Sequence, residues 1–295
     1  MVLGIIFSFI VSILFAIYAA PRKFSKQNAV LYTMWTGLAY FAGACLVCLV
    51  VVVFGLYEID LLNPWNLLSV LRGFIWVLGT VAFNLAIDKI GLARFNQWKN
   101  LQGPIGTALM LVFLTDVAGE KILFVIAGMT VMFISAVMFT IGKEGDDKKS
   151  TMRGVLLAVF AALCFGVTAF INKLVTLQGL IYSQLLFHSL SVTVCALVIY
   201  LITERKPKEL FRIDKSTWLP VMTGLMFLVA TLLSIFAYTM ISGSVSWSIV
   251  QLNCMWTFLV GVLIFKEISF RRNWARITAG FIFAAGALCL LFFAL

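Results

Sequence analysis

Residues 94–104 read Arg94-Phe95-Asn96-Gln97-Trp98-Lys99-Asn100-Leu101-Gln102-Gly103-Pro104, and they run without a break into the apolar segment Ile105 to Leu114. These eleven residues include two cations and four side-chain amides, in a chain that is 63% hydrophobic and only 12% charged. Polar groups are costly in hydrocarbon unless they face a cavity or one another. The segment is therefore predicted to be half of a membrane helix and a candidate binding site.

The composition is that of a membrane protein. Mean hydropathy is +1.08, and 27 Phe stand against only 12 Asp and Glu, whereas a soluble domain needs far more surface charge. The 22 Lys and Arg lie in short clusters between apolar runs, so we interpret them as topology signals and expect no nucleic-acid partner. The six cysteines all lie inside apolar runs, and no metal site or cofactor is predicted.

Ten apolar runs are long enough to cross the roughly 30 Å of bilayer hydrocarbon as helices. They extend over Val2 to Ala20, Leu31 to Phe54, Leu67 to Ile87, Leu92 to Leu114, Ile122 to Ile141, Gly154 to Ile171, Leu180 to Ile202, Trp218 to Met240, Val245 to Phe265 and Trp274 to Phe293. The chain is therefore predicted to be an all-α polytopic membrane protein. We expect its first span to be retained, because no basic residue precedes it.

The basic residues fall almost entirely on one side of the predicted membrane. Nineteen lie on the side that receives Arg22 and Lys23, and the other side has only Arg72, Lys121 and Lys173. Positive residues favour the cytoplasmic side of a span. We therefore expect a multi-pass protein of the cell membrane with both termini outside.

Two segments of the chain match each other without a gap, residues 66–116 and residues 217–267. The identical positions are Leu68, Val70, Gly73, Thr80, Ala86, Ile90 and Leu101, which recur as Leu219, Val221, Gly224, Thr231, Ala237, Ile241 and Leu252. Residues 1–145 and 146–295 are therefore predicted to be two repeats of five spans each. Because five is odd, the second repeat must be inverted relative to the first, and a binding site is expected near the midplane between them.

The repeat gives the polar segment a partner in the second half. Asn100-Leu101-Gln102 aligns with Gln251-Leu252-Asn253, so each half carries an amide pair at the same depth of its fourth span. Two inverted copies of one polar pair are expected to converge on a common centre.

Three short motifs resemble a known transporter family. The third span contains Gly73-x-x-Trp76-x-x-Gly79 followed by Ile87-Asp88-x-x-Gly91, which is similar to the glucose/ribose porters of the drug/metabolite transporter superfamily. The turn Tyr18-Ala19-Ala20-Pro21-Arg22-Lys23, with Thr33-Met34-Trp35 after it, resembles the start of the L-rhamnose/proton symporters, and Lys266-Glu267 is similar to the superfamily's usual ending. The resemblance implies a ten-helix permease, secondary-active or facilitative, for a small metabolite that is most often a monosaccharide.

The polar segment has the chemistry that a sugar site needs. On a helix with about 100° per residue, Asn96, Lys99 and Asn100 share one face. Pro104 has no N–H, so the carbonyl of Asn100 loses its helical donor. Each sugar hydroxyl both donates and accepts, and an unmatched one costs about 1 to 3 kcal/mol. The alternative is a structural role, because amides also form hydrogen bonds between membrane helices.

Two tryptophans are added to the site because an aromatic plane can stack on the C–H face of a sugar ring, although core packing is an equal alternative for each. Trp76 belongs to the family motif, where Phe227 is its counterpart in the second repeat, and Trp256 lies one turn beyond Asn253. The predicted substrate-binding residues are Trp76, Asn96, Lys99, Asn100, Gln102, Gln251, Asn253 and Trp256.

Proton coupling has few candidates, because no Asp or Glu lies in the middle of a predicted span. His188, in the seventh span, is the predicted proton carrier, and its alternative role is that of a hydrogen-bonded core residue. Lys99 has two alternatives: it snorkels to the cytoplasm, or it faces the site, where it suits an anionic or carbonyl-bearing substrate better than a neutral sugar.

The leading hypothesis is therefore an uptake permease for a monosaccharide or small polar metabolite, working by alternating access. The alternative is an exporter of amino acids, nucleobases or drug-like metabolites, which is favoured if Lys99 faces the cavity and aromatic residues outnumber amides there. An enzyme is not expected, because no HExxH, GxSxG or paired intramembrane acids are present. Import or export, the coupling ion and the oligomeric state are left open.

Overall fold

A computed structural model describes residues 1–18, 20–90, 95, 98–115, 117–140, 152–204, 215–263 and 270–295. Within these residues the chain forms twelve α-helices and one 3₁₀ turn at Lys215–Thr217, which confirms the all-α prediction. The helices are α1 (Val2–Ile17), α2 (Ala20–Phe24), α3 (Ala29–Val53), α4 (Asn66–Ile90), α5 (Gln102–Phe113), α6 (Gly119–Thr140), α7 (Met152–Thr176), α8 (Ile181–Thr203), α9 (Trp218–Met240), α10 (Gly243–Val250), α11 (Asn253–Leu263) and α12 (Phe270–Phe293).

Eight helical stretches of the described chain are long and apolar enough to cross a membrane, so the protein is a multi-pass membrane protein, as predicted. They are Val2–Phe24, which joins α1 and α2, and the helices α3, α4, α6, α7, α8, α9 and α12. The predicted fourth and ninth spans contain shorter helices, because each is interrupted within its length.

The two interruptions fall at positions that the sequence repeat aligns. In the fourth span a turn at Asn100 and Leu101 precedes α5, and in the ninth a turn at Gln251 and Leu252 separates α10 from α11. The backbone hydrogen bonds also match. The carbonyl of Asn100 accepts from the N–H of Gly103 at 3.2 Å, and the carbonyl of Gln251 accepts from the N–H of Cys254 at 3.1 Å.

Proline explains only one of the two interruptions. Pro104 has no N–H to offer the carbonyl of Asn100, and the donor is supplied one residue earlier by Gly103, as a tightened i to i+3 bond. Met255 occupies the aligned position in the second half, and the same geometry forms there without a proline.

Helix packing follows the same correspondence between the halves. The third span, α4, packs on α7 and α8, which are the sixth and seventh spans. Its counterpart α9, the eighth span, packs on α1 and α3, which are the first and second. The fifth and tenth spans, α6 and α12, pack on each other.

Glycines at aligned positions allow these helices to approach closely. A methyl group on Gly73 in α4 would lie 2.7 Å from the carbonyl oxygen of His188 in α8. A methyl group on Gly224 in α9 would meet the carbonyl oxygen of Thr36 in α3. Only a residue without Cβ fits either contact.

Two of the polar contacts between span ends involve buried cations. Near the end of the first span, Arg22 donates through Nη2 to both carboxylate oxygens of Asp88 at 3.1 and 2.9 Å. At the end of the sixth span, Lys173 donates through Nζ to the carbonyl oxygens of Tyr238 and Ile241 at 2.7 and 3.3 Å, at the carboxyl end of α9. A cation at this end of a helix also complements the helix dipole.

Candidate functional site

A cavity lies between the helices of the two predicted repeats. Its empty volume is about 560 Å³, including the part that is open at its mouth. The residues that line it are Phe15, Tyr18, Arg72, Trp76, Lys99, Gln102, Phe165, Thr168, Ala169, Asn172, Phe227, Thr231, Ser234, Tyr238 and Trp247.

The apolar wall of the cavity is centred on two aromatic rings. The ring centroids of Trp76 and Phe227 are 4.5 Å apart, with an interplanar angle of 35°. Phe15 and Tyr18, from the end of α1, each lie 6.1 Å from the Phe227 ring. The wall therefore combines residues of the first, third and eighth spans, and it offers flat aromatic surface to a ligand.

Hydroxyl and amide groups make up the neutral polar part of the lining. The hydroxyls of Thr168 and Ser234 donate to carbonyls of their own helices, at 2.9 Å to Phe165 and 2.8 Å to Ala230. Because each hydroxyl has one proton, these two offer a ligand only acceptor lone pairs. Asn172, which also lines the cavity, has a buried Oδ1 without a hydrogen-bond partner in the described chain.

Gln102 joins the two interrupted spans at the cavity. Its Nε2 donates to Oε1 of Gln251 at 3.4 Å, and its backbone carbonyl accepts from Nε1 of Trp247 at 3.2 Å. One amide of each half therefore meets the other, whereas Asn100 and Asn253 take no part in this contact, which also supports the alternative of a structural role for these amides.

Two cations line the cavity. Arg72 is 5% exposed and Lys99 is 4% exposed. The Nζ of Lys99 lies 5.8 Å from the centroid of the Phe83 ring. Lys99 thus faces the cavity, and among the described residues no Asp or Glu lines it.

Two cations that were counted as residues at a membrane surface are buried in the structure. Arg72 and Lys173 were counted on the sparsely charged side, but both are buried among helices. Of the three residues counted there, only Lys121 lies at the start of a helix with partial exposure. Among the described residues, the sparsely charged side therefore has fewer exposed cations than the count indicated.

The predicted substrate-binding residues separate into groups. Trp76, Lys99 and Gln102 line the cavity. Asn100 and Gln251 line a second, smaller space of about 240 Å³, including its open part, between α5, α6 and α10. Its lining includes Pro104 and Ser248 as well.

The remaining members of the predicted set lie elsewhere. The Nδ2 of Asn253 donates to the carbonyl of Val250 at 2.9 Å, across the turn that interrupts the ninth span. Trp256 is half-buried and donates to the hydroxyl of Ser12 at 3.0 Å, away from the cavity lining. Asn96 lies outside the described residues.

His188 lies behind the aromatic wall. It is fully buried, and its Nδ1 is 2.8 Å from the hydroxyl of Tyr40. Its ring makes an edge contact with Trp76 at 6.4 Å between centroids. Nε2 has no hydrogen-bond partner in the described chain. The imidazole is therefore one ring away from the cavity and does not line it.

Several lining residues were not predicted from the sequence. Arg72 lies one turn before Trp76 on α4, and a cation inside an apolar run next to a motif tryptophan is a signal for a site. Thr231 was noted only as a repeat identity, and Tyr238 and Ser234 follow it at helical spacing. Nothing in the sequence marks Phe165 as a lining residue among the 27 Phe.

Comparison with known proteins gives both a family and a fold. A family model described as "Sugar transport protein" matches residues 36–293. No curated protein matches the chain. Among solved structures, 27 chains match, and one of them, described only as the crystal structure of a protein, aligns over 98% of this chain and 96% of its own with a TM-score of 0.74. At 12% identity, that likeness shows a shared fold alone.

Proposed function

Because the chain belongs to the sugar transport protein family, we propose that it is a permease that moves a monosaccharide across the cell membrane by alternating access. The substrate binds in the central cavity, between two inverted halves, and leaves unchanged, so no catalytic residue is assigned.

The observation that carries this proposal is the lining of the cavity. A sugar needs flat apolar surface for its C–H face and hydrogen-bonding groups for its hydroxyls. The Trp76 and Phe227 rings supply the first requirement, and Gln102, Asn172 and Ser234 are placed to supply the second. Both predicted repeats contribute to each kind of group.

The inverted arrangement of the halves is supported by their matched geometry. The interruptions of the fourth and ninth spans fall at aligned residues, and Gly73 and Gly224 make equivalent close approaches to the seventh and second spans. With five spans in each half, equivalent elements run in opposite directions across the bilayer. Such halves form a site at their interface that each half can close from one side.

Closure of the two ends is assigned to the contacts between span ends. Arg22 and Asp88 join the first and third spans, and Lys173 joins the sixth span to the eighth. The first and third spans correspond to the sixth and eighth in the repeat, so the two contacts lie on opposite sides of the proposed membrane. Opening one contact while the other holds would expose the cavity to one side at a time.

Symport with protons is proposed through His188. It packs against Trp76 of the cavity wall, and its Nε2 has no hydrogen-bond partner in the described chain. The indole of Trp76 would therefore couple substrate binding in the cavity to protonation of His188. If His188 has only a structural role, the same cavity would serve a facilitative permease.

One observation favours a second candidate function. Lys99 lines the cavity, and the lining holds more aromatic residues than amides, which is the pattern expected of an exporter of amino acids, nucleobases or drug-like metabolites. Family membership favours the sugar, and the polar lining groups are compatible with either.

Counterflow in proteoliposomes tests the two candidates directly. Liposomes containing the purified chain are loaded with one unlabelled monosaccharide, amino acid or nucleobase, and entry of the same labelled compound is followed. A sugar permease is expected to show labelled overshoot for at least one monosaccharide, and the recovered label should be chemically unchanged. Overshoot for an amino acid or a nucleobase, with none for any monosaccharide, would overturn the proposal.

A further inference from the structure

The cavity carries two positive charges that no described residue balances. Arg72 and Lys99 both line it and are almost fully buried, and among the described residues no carboxylate does so. A buried charge without a partner is costly, because it has lost its hydration without gaining an opposite charge.

The other two buried cations of the described chain, Arg22 and Lys173, both have hydrogen-bond acceptors within the protein. Arg22 binds the Asp88 carboxylate and the carbonyl of Gln27, the latter at 2.9 Å. Lys173 donates to two backbone carbonyls at the end of α9. Buried cations of this chain that serve packing or closure therefore have acceptors within the protein.

Arg72 differs from these two residues. Arg22 lacks a hydrogen-bond partner only at Nε, whereas both Nε and Nη1 of Arg72 are buried and have no partner in the described chain. The groups within electrostatic range of its guanidinium include Tyr40, Tyr238 and His188, and none of them carries a carboxylate. Among the described residues no acceptor reaches these two nitrogens, and the cavity that Arg72 lines gives a ligand access to its side chain.

The position of Arg72 fits a ligand that also stacks on Trp76. The two residues are four positions apart on α4, so their side chains lie on the same face, one turn from each other. A guanidinium presents parallel donors that match the two oxygens of a carboxylate or phosphate. A sugar ring on Trp76 would place an acidic substituent near Arg72, and Lys99 would supply a second positive charge from the fourth span.

We propose that the substrate is an acidic monosaccharide, whose carboxylate or phosphate group is bound by Arg72 and Lys99. This inference rests on the proposed sugar permease function and specifies its substrate class. It also accounts for Lys99, the residue that argued against a neutral sugar.

The test compares sugars that differ at one carbon atom. Counterflow is measured in proteoliposomes of the full chain with D-glucose, D-glucuronate and D-glucose 6-phosphate as probes. At least one acid is expected to be transported at least ~10-fold better than glucose, as the loss of one charge-assisted hydrogen bond implies. The two acids distinguish a carboxylate site from a phosphate site, and preference for either supports the proposal.

Three variants complete the design. Arg72→Gln and Lys99→Gln are each expected to lower transport of the preferred acid by about 10- to 100-fold, since each removes a charged donor. Lys89→Gln changes an exposed cation on the same helix as Arg72 and should leave transport unchanged. Size-exclusion chromatography shows whether each variant is folded. If Arg72→Gln is not folded, the proposal is tested by the preference of the wild-type protein for an acidic sugar and by the transport rate of Lys99→Gln.

The outcomes separate this inference from the function on which it rests. Transport of glucose at the rate of both acids, unchanged by Lys99→Gln, would overturn the acidic substrate and leave the sugar permease standing. Failure of all three sugars, with transport of an amino acid or nucleobase, would overturn both.

Discussion

The indole of Trp76 lies against the phenyl ring of Phe227, with 4.5 Å between ring centroids, and the two residues are aligned positions of the predicted repeat. Equivalent residues of two inverted halves can touch only near the axis that relates the halves. The pair therefore marks the centre of the proposed transport site, where one ring of each half forms the wall of the cavity.

Trp76→Ala is predicted to weaken sugar binding strongly. Removing a buried aromatic surface from the binding wall loses about 2 kcal/mol of apolar contact, which is roughly 30-fold in the half-saturation concentration for counterflow. Trp274→Ala removes an exposed tryptophan at the start of a span and should leave this concentration unchanged. An equal effect of the two substitutions would show that Trp76 acts only in packing.

Gly73→Ala is predicted to destabilise the contact between α4 and α8. The added methyl group would lie 2.7 Å from the His188 carbonyl and 2.6 Å from Cβ of Ser191, and backbone cannot move aside as a flexible side chain can. Overpacking of this kind costs about 1 to 3 kcal/mol, so the melting temperature in detergent should fall.

The matched control for Gly73→Ala is Gly286→Ala in α12, where an added methyl group meets nothing within 4 Å. Alanine is the better helix former, so this variant should melt at the same temperature or slightly higher. If Gly73→Ala has the same melting temperature as Gly286→Ala, the two helices α4 and α8 can move apart to accommodate the added methyl group, which contradicts the prediction.

The extent of most helices and the place of the first interruption followed from local sequence. The length of an apolar run can be counted directly along the sequence, and the polar residues around Pro104 interrupt one such run. The second interruption, at the aligned residue Gln251, was not predicted, because Met255 stands where the first half has proline and gives no local sign of a break. Local chemistry therefore sufficed for the first interruption but not for the second.

Which face of each helix turns inward could not be read from the sequence. Lipid and protein interior are both apolar, so a membrane helix such as α11 lacks the polar outer face that orients a soluble helix. Trp256 was therefore placed in the site, whereas it bonds to Ser12 away from the cavity. Arg72 was missed for a related reason, because a cation near a span end can either snorkel or be buried.

His188→Gln is predicted to abolish sugar accumulation driven by a pH gradient while leaving counterflow exchange intact. Gln keeps a hydrogen-bonding group beside the Tyr40 hydroxyl but cannot carry a proton. Tyr40 and Arg72 are the titratable or charged groups within range of the imidazole in the described chain. Both transport modes are measured in the same proteoliposome preparation, and loss of both, or of neither, contradicts a proton role.

Breaking the contact between Arg22 and Asp88 is predicted to open the cavity toward the side that the charge distribution assigns to the cytoplasm. Arg22 is 6% exposed whereas Asp88 is 51% exposed, so the two substitutions are not equivalent. Arg22→Gln leaves a carboxylate that water can solvate, so the loss is expected to be about 0.2 to 1 kcal/mol, the range for solvent-exposed pairs. The population of the opened state should then rise by no more than about 5-fold.

Asp88→Asn is expected to have the larger effect, because it removes the negative charge that balances a buried guanidinium and leaves that guanidinium only neutral acceptors, such as the Gln27 carbonyl. A cysteine introduced at Thr231 in the cavity lining reports opening through its rate of reaction with a membrane-impermeant maleimide, in a background without the native cysteines. In inside-out vesicles the reaction should accelerate in the order Lys89→Gln, Arg22→Gln, Asp88→Asn, with the first equal to wild type. Equal rates in all four proteins would show that this ion pair does not hold the cavity closed.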